Sequence, residues 1–178
     1  GTNSIGMKIY RFSEMFTQSV EAGSAAMIGQ NLGAKDHVRP GKTVLYTWFY
    51  GLAVAAAAAV MFLAFPDSLY MIFTHDQAVI EFGRTFLAIM TVSFFLSVTT
   101  GSFQSMVTGS GFVSLGFALG IIDGIVCRIG FSLLFLNVFN MGVVSYFWGM
   151  ALARSVTGII NISYFASGKW KARKLMSD

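Results

Sequence analysis

The chain has 178 residues, of which 55% are hydrophobic, 15% aromatic and only 11% charged, where an ordinary soluble domain carries about a quarter charged residues. Eighteen Phe and ten Met exclude a disordered chain, and a soluble core of this length has no room for so much apolar surface. The formal charge of +4 does not point to nucleic acid, because the basic residues collect at the ends of apolar runs and are not interleaved with exposed aromatics; the bilayer is the expected solvent and membrane lipid the expected neighbour.

The opening "GTNSIGMKIYRF" has no initiating Met and lacks the basic start and apolar core of a secretory leader, so it reads as part of something longer. A first helix is expected over about residues 5–32. Its Lys8, Arg11 and Glu14 are three apart and Glu21 follows seven later, which puts all four near one stripe that must face protein or water. Arg11 and Glu14 can neutralise each other as an i, i+3 pair near the interface, with Lys8 and Arg11 snorkelling. Glu21 is deeper, has no basic residue at i−4 or i+4, and needs either a partner on another helix or a proton. The helix ends in "GQNLGAKD", followed by Lys35, Arg39 and Lys42.

The second span, about residues 43–65, contains "LAVAAAAAVMFLAF" and is stopped by Pro66 and Asp67. Residues 85–122 are uncharged but too many for one crossing, which takes about 20 residues. The break "TGSGF" divides them into a third span, 79–107, and a fourth, 112–136. The fourth carries Asp123 and Arg128, about 140° apart on an α-helix at about 100° per residue, so they make a poor intrahelical pair and each is expected to reach a different partner. Gly116, Gly120 and Gly124 recur every four residues, a small-residue face expected to pack closely on a neighbour. A fifth span, 143–166, is interrupted by Arg154 and ended by "SGKWKARK", leaving a basic tail over 168–178.

The predicted fold is all-α: a polytopic helical membrane protein with about five transmembrane helices forming a single lobe. Loops enriched in Lys and Arg lie on the cytoplasmic side. Lys35, Arg39 and Lys42 in the first loop and Lys169, Lys171, Arg173 and Lys174 in the tail are separated by four crossings, while Asp67, Asp76 and Glu81 occupy the loop between. An even count returns the chain to one side, so both basic segments are expected inside and the acidic loop outside. The first helix then starts outside, which implies an upstream helix.

No catalytic constellation is visible and the chain is read as no enzyme. Gly109, Gly111 and Gly116 miss the G-x-G-x-x-G spacing. His37 and His75 fall in loops on opposite sides, and the single Cys127 cannot build a zinc site, so no metal and no organic cofactor are expected.

The stretch "EAGSAAMIGQNLGAKD" resembles the signature of the multidrug and toxic compound extrusion (MATE) family, a small-residue helix ending in A-x-x-x-G-Q-x-x-G-A; Ala25, Gly29, Gln30, Gly33 and Ala34 match it. "DGIVCRIG" and "WGMALARSVTGIINISYFASGKWK" are similar to later helices of the family, and the resemblance runs through the whole chain in order. It implies helices eight to twelve of a twelve-helix transporter: most of a C-terminal lobe, partnered by an N-terminal lobe, in the bacterial cytoplasmic membrane. It also implies export of organic cations in exchange for Na⁺ or H⁺.

The family's cation site is not carried over residue by residue, because the uncharged run of the third helix offers only Gln104 near its inner end. Candidate pathway residues come instead from intramembrane chemistry: Glu21 and Asp123 first, then Arg128, Glu14, Arg11 and Gln104. A charge at a helix centre costs roughly 2.5–3.5 kcal/mol on insertion scales and is usually kept for a pathway or a partner. Two alternatives stand beside efflux. A flippase for lipid-linked or polysaccharide precursors would use Arg11, Arg128 and Arg154 against an anionic pyrophosphate, and a non-transporting membrane scaffold would need the charges only for assembly.

Overall fold

The structure is a computed structural model that describes residues 2–172. Helix α1 (Thr2–Gly33) is followed by α2 (Arg39–Ala64), the short α3 (Pro66–Met71) and α4 (Gln77–Gly109). Helix α5 (Val113–Ile121) continues through a π-helical segment (Ile122–Cys127) into α6 (Arg128–Asn137). Helix α7 (Val144–Ser167) and a 3₁₀ turn (Lys169–Ala172) complete the described chain.

The boundaries have local causes. Lys35 takes a left-handed conformation (φ 60°) after Gly33, and Asp36 then starts α2 by accepting from the backbone N–H of Val38 at 2.8 Å and of Arg39 at 3.0 Å. Those two bonds, Arg39's first, hold the Asp36 carboxyl below the usual carboxylate range. Pro66 stops α2 and opens α3. Asp76 caps α4 by accepting from Ala78 N–H at 3.0 Å. Gly168, at φ 66°, ends α7 with its N–H on the Phe165 carbonyl.

Helix α4 is the hub: it packs against α1, α2, α3 and α7. Its 33 residues make it about 50 Å long at about 1.5 Å per residue. It can be central because Ser93, Ser97, Gly101, Ser105 and Gly109 recur every four residues down one side, which lets neighbouring backbones come close. Helix α1 runs parallel along this seam. Tyr10 bonds Ser93 and Ser97, the Glu21 carboxylate lies over Gly101, Ser24 meets Ser105, and a Cβ on Gly109 would fall 2.7 Å from the Ala25 carbonyl oxygen.

The small-residue face expected at Gly116, Gly120 and Gly124 is not the seam within this chain. A Cβ at any of the three would meet nothing within 4 Å. The reason is placement: α6 and the π segment lean on α7, α5 touches α4 only lightly, and only 11% of this apolar stretch is buried.

Two apolar clusters lie towards opposite ends of the bundle. One gathers Tyr70, Phe86, Phe94 and Phe147; the other gathers Ile28, Phe103, Met106 and Trp170. Between them, each inner helix turns polar: α1 at Glu14, Thr17, Glu21 and Ser24, α4 at Ser97, Thr100, Ser102 and Ser105, α7 at Arg154, Thr157 and Asn161. Polar groups sandwiched between apolar layers must satisfy one another or a ligand.

The basic loop and the start of the tail share one end of the bundle. Trp170 stacks on Phe165 with an interplanar angle of 7° and sits 3.9 Å from where a Cβ on Gly41 would be. At the other end, the buried Tyr70 of α3 fills the space left by Gly6 and Gly83, and Arg84 grips Asp67 through two 2.6 Å bonds. Of the expected basic tail, residues 173–178 lie outside the described residues. Among the described residues, three helical stretches are long and apolar enough to cross a membrane: Arg39–Ala64, Gln77–Gly109 and Val113–Asn137. Helices α1 (32 residues) and α7 (24 residues) have the length but not the apolarity, since they supply most of the polar belt.

Candidate functional site

The polar belt is built by α1, α4, the α5–α6 helix and α7. Glu14 points inward from α1 and accepts from Tyr10 Oη at 2.8 Å and Ser97 Oγ at 3.0 Å. Its ionic partner is Arg154 of α7, Nη2 to Oε1 3.6 Å. Arg11, the i−3 neighbour weighed as its partner, is exposed and makes no ion pair with it. Arg154 is itself fixed: its carbonyl accepts from Thr100 Oγ1 and Thr157 Oγ1, both at 3.0 Å, and a Cβ on Gly158 would lie 2.7 Å from Thr100 Oγ1. Asn161, fully buried, donates to the Thr100 carbonyl at 3.2 Å.

Asp123 and Arg128 were expected to reach different partners; they pair with each other, Arg128 Nη2 to Asp123 Oδ2 3.7 Å. The difference comes from the backbone. A π segment occupies Ile122–Cys127, and its wider i→i+5 repeat brings residues five apart onto one side. The pairing leaves two buried atoms without hydrogen-bond partners, Asp123 Oδ1 and Arg128 Nε.

Two cavities flank this pair. The larger, about 340 Å³, is lined by Glu21 and Gln18 from α1, Gln104 from α4, Asp123, and Arg154 and Thr157 from α7. Glu21 makes no hydrogen bond or ion pair with the other described residues; its carboxylate fits over Gly101, where any side chain would collide with it. Glu21, Asp123 and Gln104, from three different helices, thus face one space. The smaller cavity, about 160 Å³, is lined by Tyr10, Arg11, Glu14, Ser93, Arg128 and Arg154. Arg154 borders both.

The signature lies towards the basic end of α1, with Ala25 on the wall of the larger cavity and the rest beyond it. A Cβ on Gly29 would come 3.3 Å from the Gly109 carbonyl oxygen, so Ala25 and Gly29 serve the close crossing of α1 and α4. The Gln30 carbonyl accepts from Ala34 N–H at 3.0 Å, closing the last turn before Lys35. Gly33 and Ala34 form the exposed exit.

The sequence alone does not place Tyr10, Ser97, Gly101 or Thr157, and it offers Arg154 as an interruption of the fifth span and as an anion-facing residue in the flippase alternative, not as the partner of Glu14. The signal was present in "SFFLSVTTGSFQS", whose four-residue repeat of small residues marks the inner side of α4.

A family model described as MatE matches residues 1–134. Over 175 residues the chain is 21% identical to a protein of Thermotoga maritima described as "Probable multidrug resistance protein NorM", an alignment covering 97% of this chain and 37% of that relative. The chain therefore spans little more than a third of the length of the relative it matches. Matched over three quarters of its residues, it belongs to the MatE family.

Proposed function

We propose that the chain forms most of the C-terminal lobe of a cation-coupled multidrug efflux transporter in the cell membrane, exporting organic cations in exchange for Na⁺ or H⁺. In this reading the larger cavity is the lobe's share of the pathway, and an N-terminal lobe closes its open side. Glu21 and Asp123 hold positive charge in turn, as coupling ion or as substrate.

The observation that carries this reading is the meeting of two carboxylates in one cavity within the polar belt, where, among the described residues, Glu21 is unpaired and Asp123 Oδ1 lacks a donor. A carboxylate facing a low-dielectric space is costly to leave uncompensated, and a bound cation or proton supplies the compensation. Gln18, Gln104 and Thr157 add neutral oxygens that can complete a cation's shell. Arg154 on the cavity wall opposes simultaneous occupancy by several cations, which suits exchange of one for another.

Binding tests the reading directly. The full-length protein in detergent is titrated with a fluorescent organic cation, and the Glu21→Gln, Asp123→Asn double variant is expected to bind at least tenfold more weakly. Unchanged affinity in the folded double variant removes this cavity from cation binding.

A further inference from the structure

The smaller cavity has the opposite electrostatic character. Three guanidinium groups, those of Arg11, Arg128 and Arg154, face a single carboxylate, Glu14. Glu14 is already occupied: it takes Arg154 at 3.6 Å and hydroxyl donors from Tyr10 and Ser97. Asp123 reaches Arg128 only at Nη2, 3.7 Å away. The Arg128 Nε–H stays buried without an acceptor, and Arg11 has no ionic partner among the described residues. A surplus of cationic donors beside a space of about 160 Å³ lacks an acceptor, and an unsatisfied buried charged donor costs more than a neutral one.

We propose that this cavity binds an oxyanion, a phosphate or carboxylate group held between Arg11 and Arg128. The chemistry of the donors selects the class. Guanidinium groups offer paired N–H donors that match two oxygens of one oxyanion, and such charge-assisted bonds are the strong ones. Ser93 supplies a further hydroxyl on the wall. Water takes up about 30 Å³ per molecule in the liquid, so the cavity has room for one such group and a few waters, not for a large anion. The site stands on this chain's own side chains and is independent of the cation reading of the larger cavity.

Because a phosphate group can arrive in solution or on a lipid, the test has two arms. The full-length protein in detergent is melted with inorganic phosphate against chloride at matched ionic strength, and separately in mixed micelles of phosphatidylglycerol or phosphatidylcholine. A saturable rise in Tm specific to phosphate assigns a soluble oxyanion; a rise specific to phosphatidylglycerol assigns a lipid headgroup. Either protection is expected to weaken at least tenfold in Arg11→Gln and in Arg128→Lys, which keeps the charge but loses the Nε donor. Arg11 is exposed, so Arg11→Gln supplies the readout even where Arg128→Lys unfolds. Protection by neither anion in the folded wild type, or equal protection of Arg11→Gln and wild type, overturns the proposal.

Discussion

Asp123 and Arg128, five residues apart, face each other at 3.7 Å across a π-helical segment that an ordinary α-helix would not allow. Their exposed side chains, 21% for Asp123 and 43% for Arg128, contrast with Glu14 and Arg154 at 13% and 26%. The cost of removing one partner rises with burial, from about 0–1 kcal/mol for exposed pairs towards about 3–5 kcal/mol for fully buried ones, and the Glu14–Arg154 pair lies further along that range. Arg154→Gln is therefore expected to lower Tm far more than Arg128→Gln. Thermal unfolding of the two purified variants checks the ranking, and equal losses would refute it.

Gly101 and Gly124 separate the packed seam from the open face. Alanine is favoured over glycine in a helix interior by about 1 kcal/mol, so Gly124→Ala, with nothing near its Cβ, should hold or raise Tm. Gly101→Ala would push a methyl group into the Glu21 carboxylate, and overpacking costs about 1–3 kcal/mol. The two substitutions are expected to shift Tm in opposite directions.

Asp36 gives a pH dependence with a defined sign. Its folded-state carboxyl is held below the ordinary value by the Arg39 and Val38 N–H groups. Its contribution is then complete above the unfolded value of about 3.9 and is lost as the pH falls through the folded one. The Tm gap between wild type and Asp36→Ala should stay constant from neutral pH down to about 5 and close on further acidification. A gap that widens in acid would contradict the cap.

The arrangement of ends predicts accessibility. Single cysteines at His37 and Gln77, in a Cys127-free background, lie at opposite ends of the bundle and are expected to label from opposite sides of the membrane, His37 from the cytoplasm. Labelling of both from one side would break the proposed topology.

The helical segments were legible because their stops are chemical: Pro66 after α2, the glycines of "TGSGF" after α4, Gly168 after α7. The MATE resemblance was legible in the α1 exit. Which helix lies at the centre was not, since in lipid both sides of a helix are apolar and periodicity no longer separates inside from outside. Two glycine or serine repeats of equal spacing competed, and only the neighbours of α4 decide that its repeat is the packed one. The Glu14–Arg154 pair joins residues 140 positions apart, beyond any local rule. The π segment defeated the angular argument for Asp123 and Arg128 because that argument assumed 3.6 residues per turn.

Gradient-driven export by Asp123→Asn tests the central claim most directly. The full-length protein is reconstituted in proteoliposomes and an inward Na⁺ or H⁺ gradient is imposed, with export of an organic cation as the readout. The amide keeps the shape of the side chain but can neither exchange a proton nor balance Na⁺, so the folded, inserted variant is expected to lose gradient-driven export. Wild-type flux from that variant would contradict a role for Asp123 in coupling.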